Sequence, residues 1–221
     1  MYTKNITLRK KISDWLIIMF FIISIMIIVG GLTRLTGSGL SITRWDLISG
    51  ILPPMSLNEW KELFNLYKEI PEYKLLNFSM TLSEFKFIFW WEYSHRLLGR
   101  LVGLLYIIPL LYFTWKKIIN KRSLRFFYLI FLLIVLQGIL GWYMVKSGLI
   151  DRTDVSHYRL SLHLTLAFII FILLLWNYLK YFYNKKFLHN KKLNNFFPII
   201  FLIFIILQIS TGALVSGLDA G

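Results

Sequence analysis

The chain of 221 residues contains no cysteine. This absence excludes disulfide bonds, thiolate metal ligands and cysteine nucleophiles. Acidic residues are also scarce: 11 Asp and Glu stand against 25 Lys and Arg, giving a formal net charge of +14. Apolar residues make up 57% of the chain, and the mean hydropathy is +0.63. A soluble domain of this size does not need so much apolar surface, so the composition predicts an all-α, polytopic membrane protein.

The basic residues are concentrated in three short segments between apolar runs. Cytoplasmic loops of membrane proteins are enriched in Lys and Arg, so this charge is explained by orientation in the lipid bilayer and no nucleic-acid partner is expected. The segments carry Lys4, Arg9, Lys10 and Lys11; Lys116, Lys117, Lys121, Arg122 and Arg125; and Lys180, Lys185, Lys186, Lys191 and Lys192. They predict a cytoplasmic N-terminus in a bacterial inner (plasma) membrane. The mitochondrial inner membrane is the less favoured alternative.

Five weakly charged runs are long enough to cross a bilayer, which takes about 20 residues. Because lipid offers the backbone no hydrogen-bond partners, each run is predicted to be a helix. The runs are 15–33, 87–115, 126–145, 160–179 and 193–218. The predicted organisation is a cytoplasmic basic N-terminus at 1–14, a four-helix transmembrane half at 15–183 with a long outer loop at 34–86, a cytoplasmic basic loop at 184–195, and a fifth transmembrane helix at 196–221.

The long outer loop contains an amphipathic pattern that begins at Ser56 or Leu57 and ends at about Glu69. Its polar residues are expected to face water. Its apolar residues are expected to face the membrane surface; they are Trp60, Leu63, Phe64 and Tyr67. The loop is therefore predicted to form an ordered cap over the outer face.

The first and fifth helices end alike. Gly30-Gly31-Leu32 closes the first and Gly212-Ala213-Leu214 closes the fifth, and a Leu-Gln-x-x-x-Gly pattern occurs at both 136–141 and 207–212. These similarities predict that the fifth helix begins a second copy of the four-helix unit. Chance similarity between glycine-rich helix ends is the alternative.

Two histidines lie at matching depths on two predicted helices. At about 1.5 Å per residue, His95 is about 31 Å from Lys116 and His163 about 26 Å from Lys180, so both lie near the outer boundary. Ionisable residues inside a membrane helix usually mark a site, and paired imidazoles suit haem iron. A structural zinc would need four ligands. A di-iron bundle would need a second Glu-x-x-His.

The helix that carries His95 presents further candidate residues. Four residues follow one helical stripe: Glu92, His95, Gly99 and Gly103. The glycines leave room for a flat macrocycle or a neighbouring backbone. Arg96 and Arg100 flank the stripe, and guanidinium groups suit carboxylates such as porphyrin propionates. The alternatives are an ordinary Glu92–Arg96 pair, snorkelling arginines and histidines that only bond a neighbouring helix.

Other polar residues carry weaker signals. His157 points away from the proposed ligand face and is expected at a loop or helix entrance. His189 falls in a basic inner loop and is expected to be solvated. Gln137 and Gln208 are expected to form interhelical hydrogen bonds rather than ligand contacts. Arg34 is expected either to hold an acidic group or to snorkel.

Four segments of the chain resemble the haem A synthase family. They are GGLTRLTGSGLS at 30–41, WWEYSHRLLGR at 90–100, YRLSLHL at 158–164 and GALVSGLDAG at 212–221. The resemblance covers almost the whole chain, and the segments occur in the family's order. It implies eight helices in two four-helix halves, and it implies that the methyl group of haem O is oxidised to the formyl group of haem A during cytochrome c oxidase biogenesis.

The resemblance also implies roles for particular residues. His95 and His163 would ligate the iron of the substrate haem O, Glu92 would be the acidic residue near the reacting methyl, and Arg96 and Arg100 would assist haem binding. Haem b is expected in the second half of such proteins, with its own histidine pair. This chain stops as that half begins, so it is expected to be a fragment whose independent activity is in doubt.

The resemblance implies partners as well. Haem O and the haem O-producing enzyme are the expected partners, the electron donor is not named, and a homo-oligomer is left open. Some family members carry a cysteine pair in the outer loop; its absence here excludes a thiol-exchange step. The alternative functions are a b-type cytochrome that carries electrons in the membrane, a non-catalytic haem-handling assembly protein, and a transporter with structural histidines.

Overall fold

The computed structural model describes residues 6–45, 49–183 and 196–220. Within these ranges the chain has no strand, and five helices are long and apolar enough to cross a membrane. The elements are α1 (Ile6–Leu35), a 3-10 turn (Ser49–Ile51), α2 (Leu57–Lys68), α3 (Pro71–Leu75), α4 (Leu82–Trp115), α5 (Lys121–Asp151), α6 (His157–Tyr183) and α7 (Phe196–Gly217). The prediction of an all-α, polytopic membrane protein is confirmed.

The long helices in the first 183 residues extend beyond the apolar runs that predicted them. α1 already includes Arg9, which the sequence assigned to the N-terminal segment. α4 begins at Leu82 because Thr81 and Glu84 form a capping box, with the Glu84 carboxylate 2.7 Å from the Thr81 backbone nitrogen. Hydropathy does not detect such caps, which satisfy the free N–H groups of a helix start.

Four of the long helices form a closed bundle. Across the described residues, α1 packs against α4 and α6, and α5 packs against the same two helices. α4 and α6 therefore face each other across one diagonal of the bundle, with α1 and α5 on the other diagonal. α7 packs on the outer side of α6.

Aromatic side chains fill one half of the bundle, the half nearer the basic α4–α5 loop. The Trp15 indole lies 4.9 Å from the Tyr106 ring, 5.5 Å from Phe113 and 5.6 Å from Phe127. Its N–H donates to the Leu105 carbonyl at 3.1 Å, so the polar atom of a buried indole is satisfied. This packing closes the bundle at what we call the basic end. The opposite end, which the segment between α1 and α4 covers, is the capped end.

The capped end is covered by α2 and α3. Trp60, Phe64 and Tyr67 of α2 are buried, with ring centroids 4.9 Å between Trp60 and Phe89 and 5.1 Å between Phe64 and Phe85. The predicted helix and the ordered cap are confirmed. The prediction that these aromatics face the membrane surface is wrong, because they are buried against Phe85 and Phe89 at the start of α4.

Candidate functional site

The two histidines singled out by the sequence lie on diagonally opposed helices. His95 is in the first half of α4 and His163 is near the start of α6, so both belong to the capped half of the bundle. The two imidazoles are close enough to interact electrostatically. Since α4 and α6 each pack against both α1 and α5, the two histidines lie on helices that oppose each other across the bundle.

Each imidazole lies against a glycine of a neighbouring helix. A Cβ atom built on Gly30 of α1 would be 2.9 Å from Cε1 of His95, and one built on Gly141 of α5 would be 3.0 Å from Cε1 of His163. No larger residue fits at these two positions without displacing a ring. The glycines of the predicted α4 stripe behave differently: Gly99 faces Met26, and Gly103 has no atom near its missing Cβ.

The imidazoles retain free coordinating capacity. Within the described residues, Nδ1 of His95 and Nδ1 of His163 are buried without a hydrogen-bond partner. The polar contact beside them is made by Gln137, whose amide donates to the backbone carbonyl of His163 at 3.0 Å. The predicted interhelical role of Gln137 is thus confirmed, and the hydrogen bond fixes α5 against α6 at the level of His163.

Glu92 lies one turn before His95, buried beneath the loop that follows α1. Its Oε2 accepts hydrogen bonds from the Ser41 hydroxyl at 2.7 Å and the Ile42 backbone N–H at 2.8 Å. Its Oε1 accepts from Arg96 Nε at 2.9 Å and Nη2 at 2.6 Å. Four hydrogen bonds stabilise the charge of a carboxylate that is only 3% exposed.

The two candidate arginines differ in their surroundings. Besides Glu92, Arg96 donates to the Ile42 carbonyl at 2.9 Å and lies 5.0 Å above the Trp45 ring. Arg96 is therefore committed to the cap. Arg100, one turn further along α4, is partly buried.

A second buried carboxyl lies within the cap. Glu72 of α3 is 7% exposed, and its Oε2 has no hydrogen-bond partner among the described residues. Burial, followed by the negative charges of Glu92 and Asp154, raises the pKa of Glu72 to about 8; a hydrogen bond with the Tyr67 hydroxyl acts in the opposite direction. The raised pKa favours the neutral acid at physiological pH.

The remaining predicted residues lie away from the two histidines. His157 is the first residue of α6, as expected, and packs against Gly217 of α7. Arg34 holds an acidic group rather than snorkelling, because it pairs at 2.5 Å with Asp219, two residues after the end of α7. His189 lies outside the described residues.

Sequence reasoning missed several residues around the site. Ser41 and Ile42 hold Glu92 from about fifty positions away along the chain, and no periodic pattern signals such contacts. Gly30 and Gly141 had been noticed only as parts of repeated segments. Glu72 carries no signal in the sequence beyond its position in the outer loop.

Two imidazoles facing each other across a helix bundle fit the axial ligation of haem iron. Within the described part of the chain, no group of three or more metal-ligating side chains occurs. The fit rests on the unpaired Nδ1 atoms and on the glycine contacts, which hold both rings within the bundle.

The chain is similar to known proteins of one family. The model of the COX15-CtaA family, described as "Cytochrome oxidase assembly protein", matches residues 13–221. A heme A synthase of Pelagibacter ubique is 52% identical over all of this chain and 65% of its own length. Those of Rickettsia bellii and Bradyrhizobium diazoefficiens are 48% and 47% identical, over 97% and 96% of this chain and 65% and 59% of their own lengths.

The chain thus spans less than two thirds of the length of these curated relatives. No solved structure gives a significant match. The family match nevertheless covers nearly all of the chain. The five long apolar helices of the described residues agree with a multi-pass membrane protein. The chain belongs to the haem A synthase family of cytochrome oxidase assembly proteins.

Proposed function

We propose that this chain holds a haem between His95 and His163 and forms the substrate-binding half of a haem A synthase, an oxidoreductase. The observation that carries the proposal is the placement of the two imidazoles on diagonal helices, each against a glycine. The relatives' name supplies the reaction class. The substrate is haem O, whose methyl group is oxidised to the formyl group of haem A for cytochrome c oxidase biogenesis.

When bound, the haem supplies the iron that the imidazoles ligate and the methyl group that is oxidised. The two histidines fix the ring's depth, and the cap excludes water from the capped end. Glu92 is proposed to receive a proton near the reacting methyl. Both of its oxygens already accept two hydrogen bonds, so proton uptake requires the release of either the Arg96 guanidinium or the Ser41–Ile42 donors.

The remaining proposals concern the two arginines, the second haem, the supplier of the substrate and the location of the protein. Arg96 and Arg100 are proposed to assist haem binding from the capped half, and Arg96 does so through the cap that it fastens. The second haem of the family, haem b, is not assigned to any residue of this chain. The haem O-producing enzyme is the proposed supplier of substrate, and a bacterial inner membrane is the proposed location.

A b-type cytochrome that only carries electrons is the second candidate. It is favoured by the saturated hydrogen bonding of Glu92, since a carboxylate held by four donors is built to fasten a loop. In this case the imidazole pair would hold haem without chemistry on the ring. Both the haem A synthase half and the b-type cytochrome should bind haem through the two histidines. They differ in which haem is extracted from the purified chain.

The test is expression of the chain in a host that also makes haem O, followed by purification and extraction of the bound haem. Chromatography and mass identify the haem as haem O, haem A or haem b. His95→Ala and His163→Ala should abolish binding. His157→Ala is the matched control, because Gly217 contacts the Cα and Cβ of His157, which alanine retains.

Haem O or haem A bound in a manner that requires both histidines supports the substrate-binding role, and haem A further supports oxidation. Haem b alone, with unmodified haem O left in the membrane, favours the electron carrier. Equal binding by wild type, His95→Ala and His163→Ala would refute both functions.

A further inference from the structure

We propose that Gly30 and Gly141 are positioning residues, each fixing the orientation of one haem-ligating imidazole. The ligand in this inference, haem, rests on the proposed function. The contacts themselves do not, because they join groups of this chain alone. Neither glycine lies on the same helix as the histidine that it contacts.

The two contacts repeat the same geometry. From the Cβ position of Gly30, Cε1, Nδ1 and Nε2 of His95 lie at 2.9, 3.5 and 3.7 Å. From that of Gly141, the same atoms of His163 lie at 3.0, 3.6 and 3.6 Å. In both, the Cε1 edge is pressed against the helix backbone, with one ring nitrogen on either side.

The four helices contribute in a regular way. One diagonal, α4 and α6, supplies the imidazoles, and the other diagonal, α1 and α5, supplies the glycines. Each imidazole is thereby confined by a helix other than its own, which limits rotation of the ring. An axial ligand needs this confinement, because its nitrogen must point along one line towards the iron.

Helix packing in general does not explain these glycines. Gly31, next to Gly30, and Gly138, one turn before Gly141, have no atom within 4 Å of their missing Cβ positions. Alanine is the better helix former at all four positions. An effect confined to Gly30 and Gly141 must therefore come from the imidazole contacts.

Alanine at either position should move the ring rather than the backbone. The atoms that the added methyl would meet belong to the far end of a side chain, which can rotate away. We therefore expect Gly30→Ala and Gly141→Ala to fold with a misdirected imidazole. Groups that orient a metal ligand typically contribute about 10- to 100-fold in affinity.

The first experiment titrates the detergent-purified 221-residue chain with ferric haem b, followed by absorbance and electron paramagnetic resonance. Gly30→Ala and Gly141→Ala should weaken binding by about 10- to 100-fold and shift the low-spin ferric signal, which reports the planes of the axial imidazoles. Gly31→Ala and Gly138→Ala should match the wild type. Equal behaviour of all four variants would overturn the inference.

The second experiment needs no haem. A double-mutant cycle measures the thermal midpoint of Gly30→Ala in the wild-type and His95→Ala backgrounds, with the His163→Ala background as control. Coupling is expected with His95 and not with His163. The reverse pattern is expected for Gly141→Ala. If Gly30→Ala does not fold, recovery in the double variant with His95→Ala supports the inference, and lack of recovery overturns it.

The two experiments test the proposed function and the positioning role of the glycines separately. Coupling in the cycles without haem binding by the wild type would refute the proposed function and leave the glycine–imidazole contacts established. Haem binding by the wild type without coupling in the cycles would refute the positioning role and leave the function standing.

Discussion

Arg96 and Glu92, one turn apart on α4, form an ion pair in which both guanidinium contacts, 2.9 and 2.6 Å, reach the same carboxylate oxygen, Oε1. This arrangement leaves Oε2 free for Ser41 and Ile42 of the loop that follows α1. The Arg96 guanidinium also binds the same loop directly, because it donates a hydrogen bond to the Ile42 carbonyl. The pair is therefore a fastening between the cap and α4.

Arg96→Ala should release this fastening. The side chains of the pair are only 11% and 4% exposed, and removing one partner of such a pair leaves an uncompensated buried charge, at a cost of about 3–5 kcal/mol. Chemical unfolding in detergent should show this loss, and limited proteolysis should show faster cleavage within 36–45.

The matched control for that experiment is Arg44→Ala. Arg44 pairs with Glu62 at 2.9 Å, but both side chains are more than half exposed, so the loss should stay below about 1 kcal/mol. Equal losses for Arg96→Ala and Arg44→Ala would contradict the fastening.

Glu72 should make the stability of the cap depend on pH. Its pKa is raised from 4.5 to about 8 in the folded chain, first by burial and then by Glu92. The folded state therefore binds this proton more tightly than the unfolded state, and the free energy of unfolding falls as pH rises from about 4.5 to about 8. Above that range the carboxyl is charged in both states and the contribution is constant.

Glu72→Gln should remove this component, because glutamine cannot titrate. The free energy of unfolding of the wild type relative to Glu72→Gln should decrease between pH 5 and pH 8, by about 1.4 kcal/mol per unit of pH at most. Glu69→Gln is the control, since the Glu69 side chain is 78% exposed. Parallel curves for the wild type and Glu72→Gln would show that Glu72 does not hold its proton in the folded chain.

Much of the fold could be predicted from the sequence, because each membrane helix carries its own signal. A continuous apolar run such as 126–145 needs no knowledge of its neighbours, and Ser56 with Glu59 marks the start of α2 locally. The depths of His95 and His163 followed from counting residues along helices of known rise.

The surroundings of the histidines could not be predicted in the same way. Periodicity gives the face of one helix but not the rotation of the helix packed against it, so Gly99 and Gly103 looked like the spacious positions while Gly30 and Gly141 make the contacts. The predicted direction of the α2 aromatics was wrong for the same reason. The apolar face of α2 was evident, but nothing local shows that α4 rather than lipid covers it.

The topology can be checked with single cysteines, because the chain has none of its own. The clustered basic residues predict that the capped end faces outwards. Ser79→Cys, at an exposed position before α4, should react with a membrane-impermeant maleimide on intact cells. Lys121→Cys, exposed at the start of α5, should react only after permeabilisation. The opposite labelling pattern would show that the capped end faces the cytoplasm.

The docking of α7 on α6 should depend on Gly217. A Cβ built there would lie 2.7 Å from Cβ and 2.8 Å from Cα of His157, and backbone cannot move aside as a ring can. Gly217→Ala should therefore push the end of α7 away from α6.

The separation can be measured by crosslinking. The hydroxyls of Ser161 on α6 and Ser210 on α7 are 3.0 Å apart, so cysteines at both positions should form a disulfide in the otherwise cysteine-free chain. Gly217→Ala should reduce the yield. Gly212→Ala, with open space at its Cβ position, should leave the yield unchanged. A yield that Gly217→Ala does not alter would mean that α7 tolerates a side chain at this contact.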